Sequence, residues 1–235
     1  MGRKQKMKNI VNEKPDDKLT GRLKFSSEFV SKESIKGKKV LDIGCGYGWF
    51  ENYCIKLRAE EVEGVEISES DLKTARDYIK NKNVNFSVAS ALKLPFENNY
   101  FDTVVAWEVI EHIPKNTEKK MFNEVHRVLK ENGIFYLSTP SSAVLSKYLD
   151  PAFWLIGHRH YNIQELVDFG MRNNFADEKL KVVGGIWTTL LIINMYISKW
   201  IFRRECFFNE YFDKNVDKEY RRDGFYNIFV KFRKQ

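Results

Sequence analysis

Two carboxylates bracket a glycine-rich turn, and their placement is the first chemistry this sequence offers. Asp42 stands two residues before the first glycine of Gly44-Cys45-Gly46-Tyr47-Gly48, and Glu66 closes the apolar run Val62-Glu63-Gly64-Val65-Glu66-Ile67 further on. The glycines carry no Cβ, so the backbone can turn sharply and let a ligand approach closely. A helix starting near Trp49 would aim free N–H groups over the turn. The usual dinucleotide fingerprint is G-x-G-x-x-G, whereas this chain reads G-x-G-x-G. A carboxylate at Asp42 would repel a pyrophosphate and suit a cationic amine. That contrast points away from NAD and towards S-adenosylmethionine (SAM), which carries an ammonium and a sulfonium but no phosphate. Glu66 lies where an acid takes the two ribose hydroxyls of an adenosine-containing ligand.

A second group of candidates is built on histidine. Glu111-His112 places an imidazole where it could take the proton of a hydroxyl. The run Phe153-Trp154-Leu155-Ile156-Gly157-His158-Arg159-His160-Tyr161 sets polar groups among aromatics. One reading makes it a substrate contact, with Trp154 and Tyr161 as walls, Arg159 for an anionic group, and His158 or His160 for a hydroxyl. The other makes it a loop leading into a helix, its side chains capping backbone groups. His158 and His160 are one residue apart with no third ligand evident, so no metal site is expected. His126 lies on the inward stripe of a helix and reads as structural.

The elements that must position these groups follow from periodicity. Val40, Leu41 and Ile43 predict a strand before the turn, and Phe50, Tyr53, Cys54 and Leu57 a helix over 49–58. Further helices are expected over 68–80, with Ser68 as N-cap and Asp71 as a capping-box partner, over 118–130, closed by Asn132-Gly133, and over 164–173. Strands are expected at 61–67, 84–88, 101–107, 134–139, 180–183 and 225–232. This alternation argues an α/β fold with a mostly parallel seven-stranded sheet, helices on both faces, and ligands at the strand ends. Residues 1–34 read as a basic lead-in (Arg3, Lys4, Lys6, Lys8) with helices, 35–140 as the cofactor core, and 141–235 as the substrate-side loop, an apolar helical insertion and the last strands of the same domain.

Bulk properties agree. The 235 residues are 43% hydrophobic and 30% charged, which is globular rather than disordered. The net charge of +7 is compatible with nucleic acid, an anionic membrane surface or an anionic substrate. Three cysteines without a C-x-x-C suggest neither a disulfide framework nor zinc, and a reducing, cytoplasmic compartment.

Several stretches in order resemble class I SAM-dependent methyltransferases of the small-molecule branch. They are Val40 to Gly48, Gly64-Val65-Glu66-Ile67-Ser68, Leu94-Pro95-Phe96 with Phe101-Asp102, Glu108-Val109-Ile110-Glu111-His112-Ile113, and Glu124 to Lys130 with Asn132-Gly133. The resemblance implies a Rossmann-like sheet with an antiparallel last strand. It implies that Asp42 with Gly44, Cys45, Gly46 and Gly48 serves the methionine part of SAM, Glu66 the ribose, Ile67 the adenine face, and Ser90, Ala91 and Leu92 the adenine edge. Trp107 would close the sulfonium side. Serine at position 90 departs from the family's frequent Asp. The implied reaction moves a methyl group from SAM to a small-molecule or lipid-like acceptor by in-line displacement, leaving S-adenosylhomocysteine. A SAM-binding non-catalytic partner subunit is the alternative. An RNA methyltransferase is a weaker one, because no added RNA-binding module is legible.

Residues 186–202 are the most apolar stretch, flanked by Arg203-Arg204. They are slightly short for a comfortable span and fall between the sixth and seventh strands. The readings left open for 187–202 are a lid or core helix, a homodimer face, or a peripheral contact with a membrane surface.

Overall fold

The computed structural model describes residues 14–203 and 206–235, so Arg3, Lys4, Lys6, Lys8 and Arg204 lie outside the described residues. Seven strands form one sheet: β1 Lys39–Ile43, β2 Glu61–Glu66, β3 Val84–Val88, β4 Phe101–Trp107, β5 Leu129–Pro140, β6 Phe175–Val183 and β7 Asn227–Lys234, in the order β3-β2-β1-β4-β5-β7-β6. The first five strands pair in parallel, and β7 is antiparallel to both β5 and β6. Strand order reverses outside β1, between β1 and β4, which is where such sheets bind ligands.

The helices are α1 Gly21–Phe29, α2 Trp49–Lys56, α3 Glu69–Tyr78, α4 Glu118–Val128, α5 Val144–Tyr148, α6 Pro151–Ile156, α7 Ile163–Met171, α8 Ile186–Tyr196 and α9 Asn209–Glu219. Two apolar layers sandwich the sheet. One joins Leu41, Ile43 and Val104 to Met121, Phe122 and Val125 of α4. The other joins Val40, Val62 and Val105 to Phe29 of α1, Phe50 and Cys54 of α2, and Val216 of α9. Lys24 of α1 pairs with Asp217 of α9 at 3.2 Å, which ties the N-terminal helix to the C-terminal one.

Several boundaries differ from the sequence reading. The fourth helix stops at Val128, and Asn132-Gly133 lies within β5 instead of closing a helix. Leu129 already pairs with Phe101, so the sheet claims these residues. Gly133 fits there because a Cβ would stand 2.8 Å from the Lys130 carbonyl. Ser68 does precede α3, but its side chain makes no cap bond and its hydroxyl meets that of Ser70 at 2.7 Å. β6 begins at Phe175, because β7 offers partners along its whole length.

The apolar stretch between β6 and β7 is α8 followed by a π-helical turn, Ile197–Ile201. Glu219 fixes its start by accepting from the backbone N–H of Gly185, Trp187 and Thr188 at 3.0, 2.7 and 2.9 Å. This satisfies orphan donors and sets a carboxylate on the positive helix end. Trp187 packs on Tyr211 and Phe212 of α9. Ile186, Leu190, Ile197, Ile201 and Phe202 remain exposed. Among the described residues, no helix is long and apolar enough to cross a membrane.

Candidate active site

The glycine turn leaves β1 and enters α2 as expected. Gly44, Gly46 and Gly48 all take positive φ. Gly44 is required twice over: its φ is +79°, and a Cβ there would lie 2.6 Å from a methyl of Val109. Val109 belongs to the loop after β4, so this close approach brings that loop against the turn.

Asp42 is 1% exposed, and neither of its carboxylate oxygens makes a hydrogen bond. Burial pushes its pKa well up, and the charge of Glu66 adds to the shift. Glu51, in the first turn of α2, is also fully buried with both oxygens lacking hydrogen bonds. Burial and then Asp42 push its pKa up. The two groups meet at β2. Asp42 pairs in register with Gly64, and only the missing Cβ of Gly64 makes room for Glu51 Oε1. A buried thiol between these acids is a poor nucleophile. The pKa of Cys45 is raised by burial, then by Glu51, Asp42 and Glu66.

The adenosine-side candidates line the ends of β2, β3 and β4. Glu66 is half-buried and accepts from the Ile67 N–H at 2.7 Å. Ile67 is 63% exposed, an apolar ledge at the strand end. Ser90 Oγ accepts from the Leu92 N–H at 3.2 Å, and Ala91 is buried. Trp107 packs on Phe50 and Phe229, with its indole N–H buried and making no hydrogen bond.

Beyond β4 the chain turns on Glu108, whose φ is +56°. Its carboxylate accepts from Ser138 Oγ at 2.7 Å and Asn227 Nδ2 at 3.0 Å, which anchors the loop to β5 and β7. Three residues on, Glu111 is buried. One of its oxygens accepts from Thr139 Oγ1 at 3.1 Å, and the other, Oε1, has no hydrogen bond. His112 is exposed beside it, with its Nε2 3.2 Å from His158 Nε2. His158 Nδ1 faces Asp150 Oδ2 at 3.0 Å. Asp150 is the N-cap of α6 and accepts from the Ala152 N–H. Burial opposes ionisation there, yet bonds from His158 and His160 hold the carboxyl well below its usual range.

The comparisons with known proteins bear on this geometry. Residues 41–137 match the family described as methyltransferase domain. The chain is 35% identical over 103 residues to the sterol 24-C-methyltransferase of Gibberella zeae, covering 42% of this chain and 27% of that protein. It is 28% identical over 193 residues to the ubiquinone biosynthesis O-methyltransferase of Pelagibacter ubique, covering 73% of this chain and 78% of that one. The S-adenosylmethionine dependent methyltransferase of Mesorhizobium loti has the same fold, with a TM-score of 0.62 at 17% identity over 89% of this chain and 95% of that chain. Residues 41–137 match a methyltransferase domain, and the chain has the fold of SAM-dependent methyltransferases. It spans 27%, 36% and 40% of the length of three curated relatives it matches.

Beyond the matched segment, the loop residues fall into two groups. Arg159, expected at an anionic substrate group, is turned inward. Its guanidinium pairs with Glu118 and donates to the carbonyls of Ile110, Glu111 and Ile113. The Tyr161 hydroxyl is buried and donates to Glu118 at 3.0 Å, with the Ile110 carbonyl 3.2 Å away as a shared acceptor. These two side chains brace the His112 loop from behind. His160 is buried too, with Nε2 3.4 Å from Asp150 Oδ2. Trp154 is 65% exposed, with its indole N–H bonded to the Tyr148 carbonyl at 3.0 Å. Sequence reasoning missed Glu51, Asp150 and the anchoring role of Glu108. The only available signal for Glu51 was Gly64, an otherwise costly residue inside a strand.

Proposed function

We propose that the protein transfers a methyl group from SAM to a small-molecule or lipid-like acceptor. The observation that carries the reading is Asp42: a buried carboxylate without a hydrogen bond, directly under a glycine turn open to close approach. An ammonium is the group whose arrival relieves it. Asp42 and the backbone from Gly44 through Cys45 and Gly46 to Gly48 would hold the methionine end, and Glu66 the ribose hydroxyls. Ile67, Ser90, Ala91 and Leu92 would enclose the adenine, and Trp107 would flank the sulfonium. Positioning for in-line displacement supplies much of such a rate.

The acceptor would lie on the side of His112 and His158, with His160 supporting Asp150 behind them. Arg159 and Tyr161 act as positioning residues for this loop, and Trp154 remains a candidate wall. Exposed Trp154 and Leu155 of α6, together with Leu190, Ile197 and Ile201 beyond them, support a lipid-like acceptor delivered from an apolar surface. Relatives named for sterol and ubiquinone chemistry agree with that class.

The test is methyl transfer from isotopically labelled SAM to a panel of amphipathic acceptors, with vesicle co-sedimentation alongside. Label in the organic phase with release of S-adenosylhomocysteine is expected. SAM binding without transfer to any acceptor would favour a non-catalytic partner subunit.

A further inference from the structure

We propose that Glu111, His112 and His158 form a binding site for one divalent transition-metal cation that holds the acceptor's oxygen beside the methyl donor. The last part rests on the methyltransferase reading above; the cation site itself does not.

One ligand atom from each residue lies within 4.8 Å of the others. His158 Nε2 is 3.2 Å from His112 Nε2 and 4.0 Å from Glu111 Oε1. Ligands bound at about 2.0–2.2 Å in tetrahedral or octahedral geometry stand roughly 3–4 Å apart. These three atoms are therefore already spaced as ligands.

Their orientation fits as well. The Asp150 carboxylate accepts from His158 Nδ1, which turns the Nε2 lone pair towards His112. A carboxylate behind a ligating imidazole is the common outer-shell arrangement at metal sites. Glu111 supplies an independent observation. It is 3% exposed, its Oε2 is taken by Thr139, and its Oε1 is left facing His158 with no hydrogen bond. A simple bond from His112 N–H to His158 would explain the short imidazole contact but leave that oxygen orphaned. A cation accounts for both.

Two histidines and one carboxylate suit zinc, iron, cobalt or manganese. Glu111 and His158 are recessed while His112 is exposed, so the side opposite the protein stays open for another ligand. The site also adjoins the donor turn, because Val109 of the same loop touches Gly44. A hydroxyl or enol oxygen bound there would lose its proton to solvent more readily. The oxygen would then bond to the methyl carbon, and the carbon–sulfur bond would break with its electron pair passing to sulfur. This assigns the acceptor to hydroxyl- or enol-bearing molecules.

The experiment titrates the metal-stripped full chain with Co2+, read by visible absorption, and with Zn2+, read by calorimetry. SAM affinity and circular dichroism are measured on the same samples. About one equivalent should bind. Glu111→Gln and His158→Gln should abolish saturable binding, and Asp150→Asn should weaken it about 10- to 100-fold. His126→Gln, on the far helix α4, should leave it unchanged. If the buried variants fail to fold, exposed His112→Gln should still lose binding. No saturable Co2+ or Zn2+ uptake overturns the site. So does uptake that survives His112→Gln and His158→Gln in folded protein. Metal uptake without SAM binding would instead remove the methyltransferase reading and leave the site standing.

Discussion

Asp42 and Glu51 bury two carboxyl groups at the same point of β2, and neither group has a hydrogen bond to offset its desolvation. Each is held above its ordinary value of 3.8 or 4.5. Such a carboxyl binds an extra proton in the folded state. The contribution of this pair to the stability of the cofactor-free protein should therefore be fully present below the ordinary carboxyl range and be lost as pH rises through the folded values. Asp42→Asn and Glu51→Gln should flatten that loss and raise the melting temperature near neutral pH. Thermal melts across pH check this, and melts of both variants that lie below wild type throughout would contradict it.

Glu66 should matter to the cofactor and little to the fold. Losing charge-assisted bonds to ribose costs about 1.5–3 kcal/mol per bond. Glu66→Ala should therefore weaken SAM binding at least about tenfold with an unchanged melting temperature. Calorimetry on the variant decides it.

Gly44→Ala should fail for two reasons, its left-handed backbone and the Val109 methyl 2.6 Å from the new Cβ. Val109→Ala should restore part of the lost stability, because it removes the clash. It leaves the strained backbone, which costs about 1–3 kcal/mol. Denaturant melts of the single and double variants separate the two contributions.

Arg159→Ala takes the cationic partner from the buried Glu118 carboxylate and the side-chain donor from the Glu111 and Ile113 carbonyls, and should destabilise the fold by about 3 kcal/mol or more. Arg159→Lys should not rescue it, since an ammonium cannot reproduce a planar fork of donors. A variant that melts like wild type and loses only affinity for an anionic acceptor would return Arg159 to substrate contact.

The neighbourhood of the glycine turn was legible because it is local. Asp42, the glycines and Glu66 lie on consecutive elements of one β–α–β unit, so their order in sequence already places them together. Glu51 was not legible. An acid in a first helical turn is ordinary, and only the absent side chain of Gly64 shows that it points inward. His112 and His158 are 46 residues apart in sequence and meet only through the fold. The partners of Arg159 were hidden for the same reason: Glu118 opens a helix on another crossover, and of the two readings left open the side chain's bonds to backbone carbonyls match the capping one. The end of α4 was misplaced because an Asn-Gly pair stops a helix and shapes a strand start equally well, and pairing with β4 decides between them.

Glu219→Ala should loosen α8 specifically. The N–H groups of Trp187 and Thr188 lose their acceptor and that of Gly185 keeps only the longer bond to Thr188 Oγ1, and loss of a helix cap costs about 0.5–2 kcal/mol. Hydrogen exchange should speed up at the start of α8 while β1 and β4 stay protected. Uniform deprotection would mean that the helix is integral to the whole core.

SAM recognition by this protein turns on whether the buried carboxylate under the turn receives the ammonium. The direct measurement is calorimetric titration of the full chain with SAM, beside Asp42→Asn. Saturable binding of one cofactor per chain, weakened at least about tenfold by the substitution, is the predicted result. No binding up to about millimolar SAM, or equal affinity in a folded Asp42→Asn variant, would contradict it.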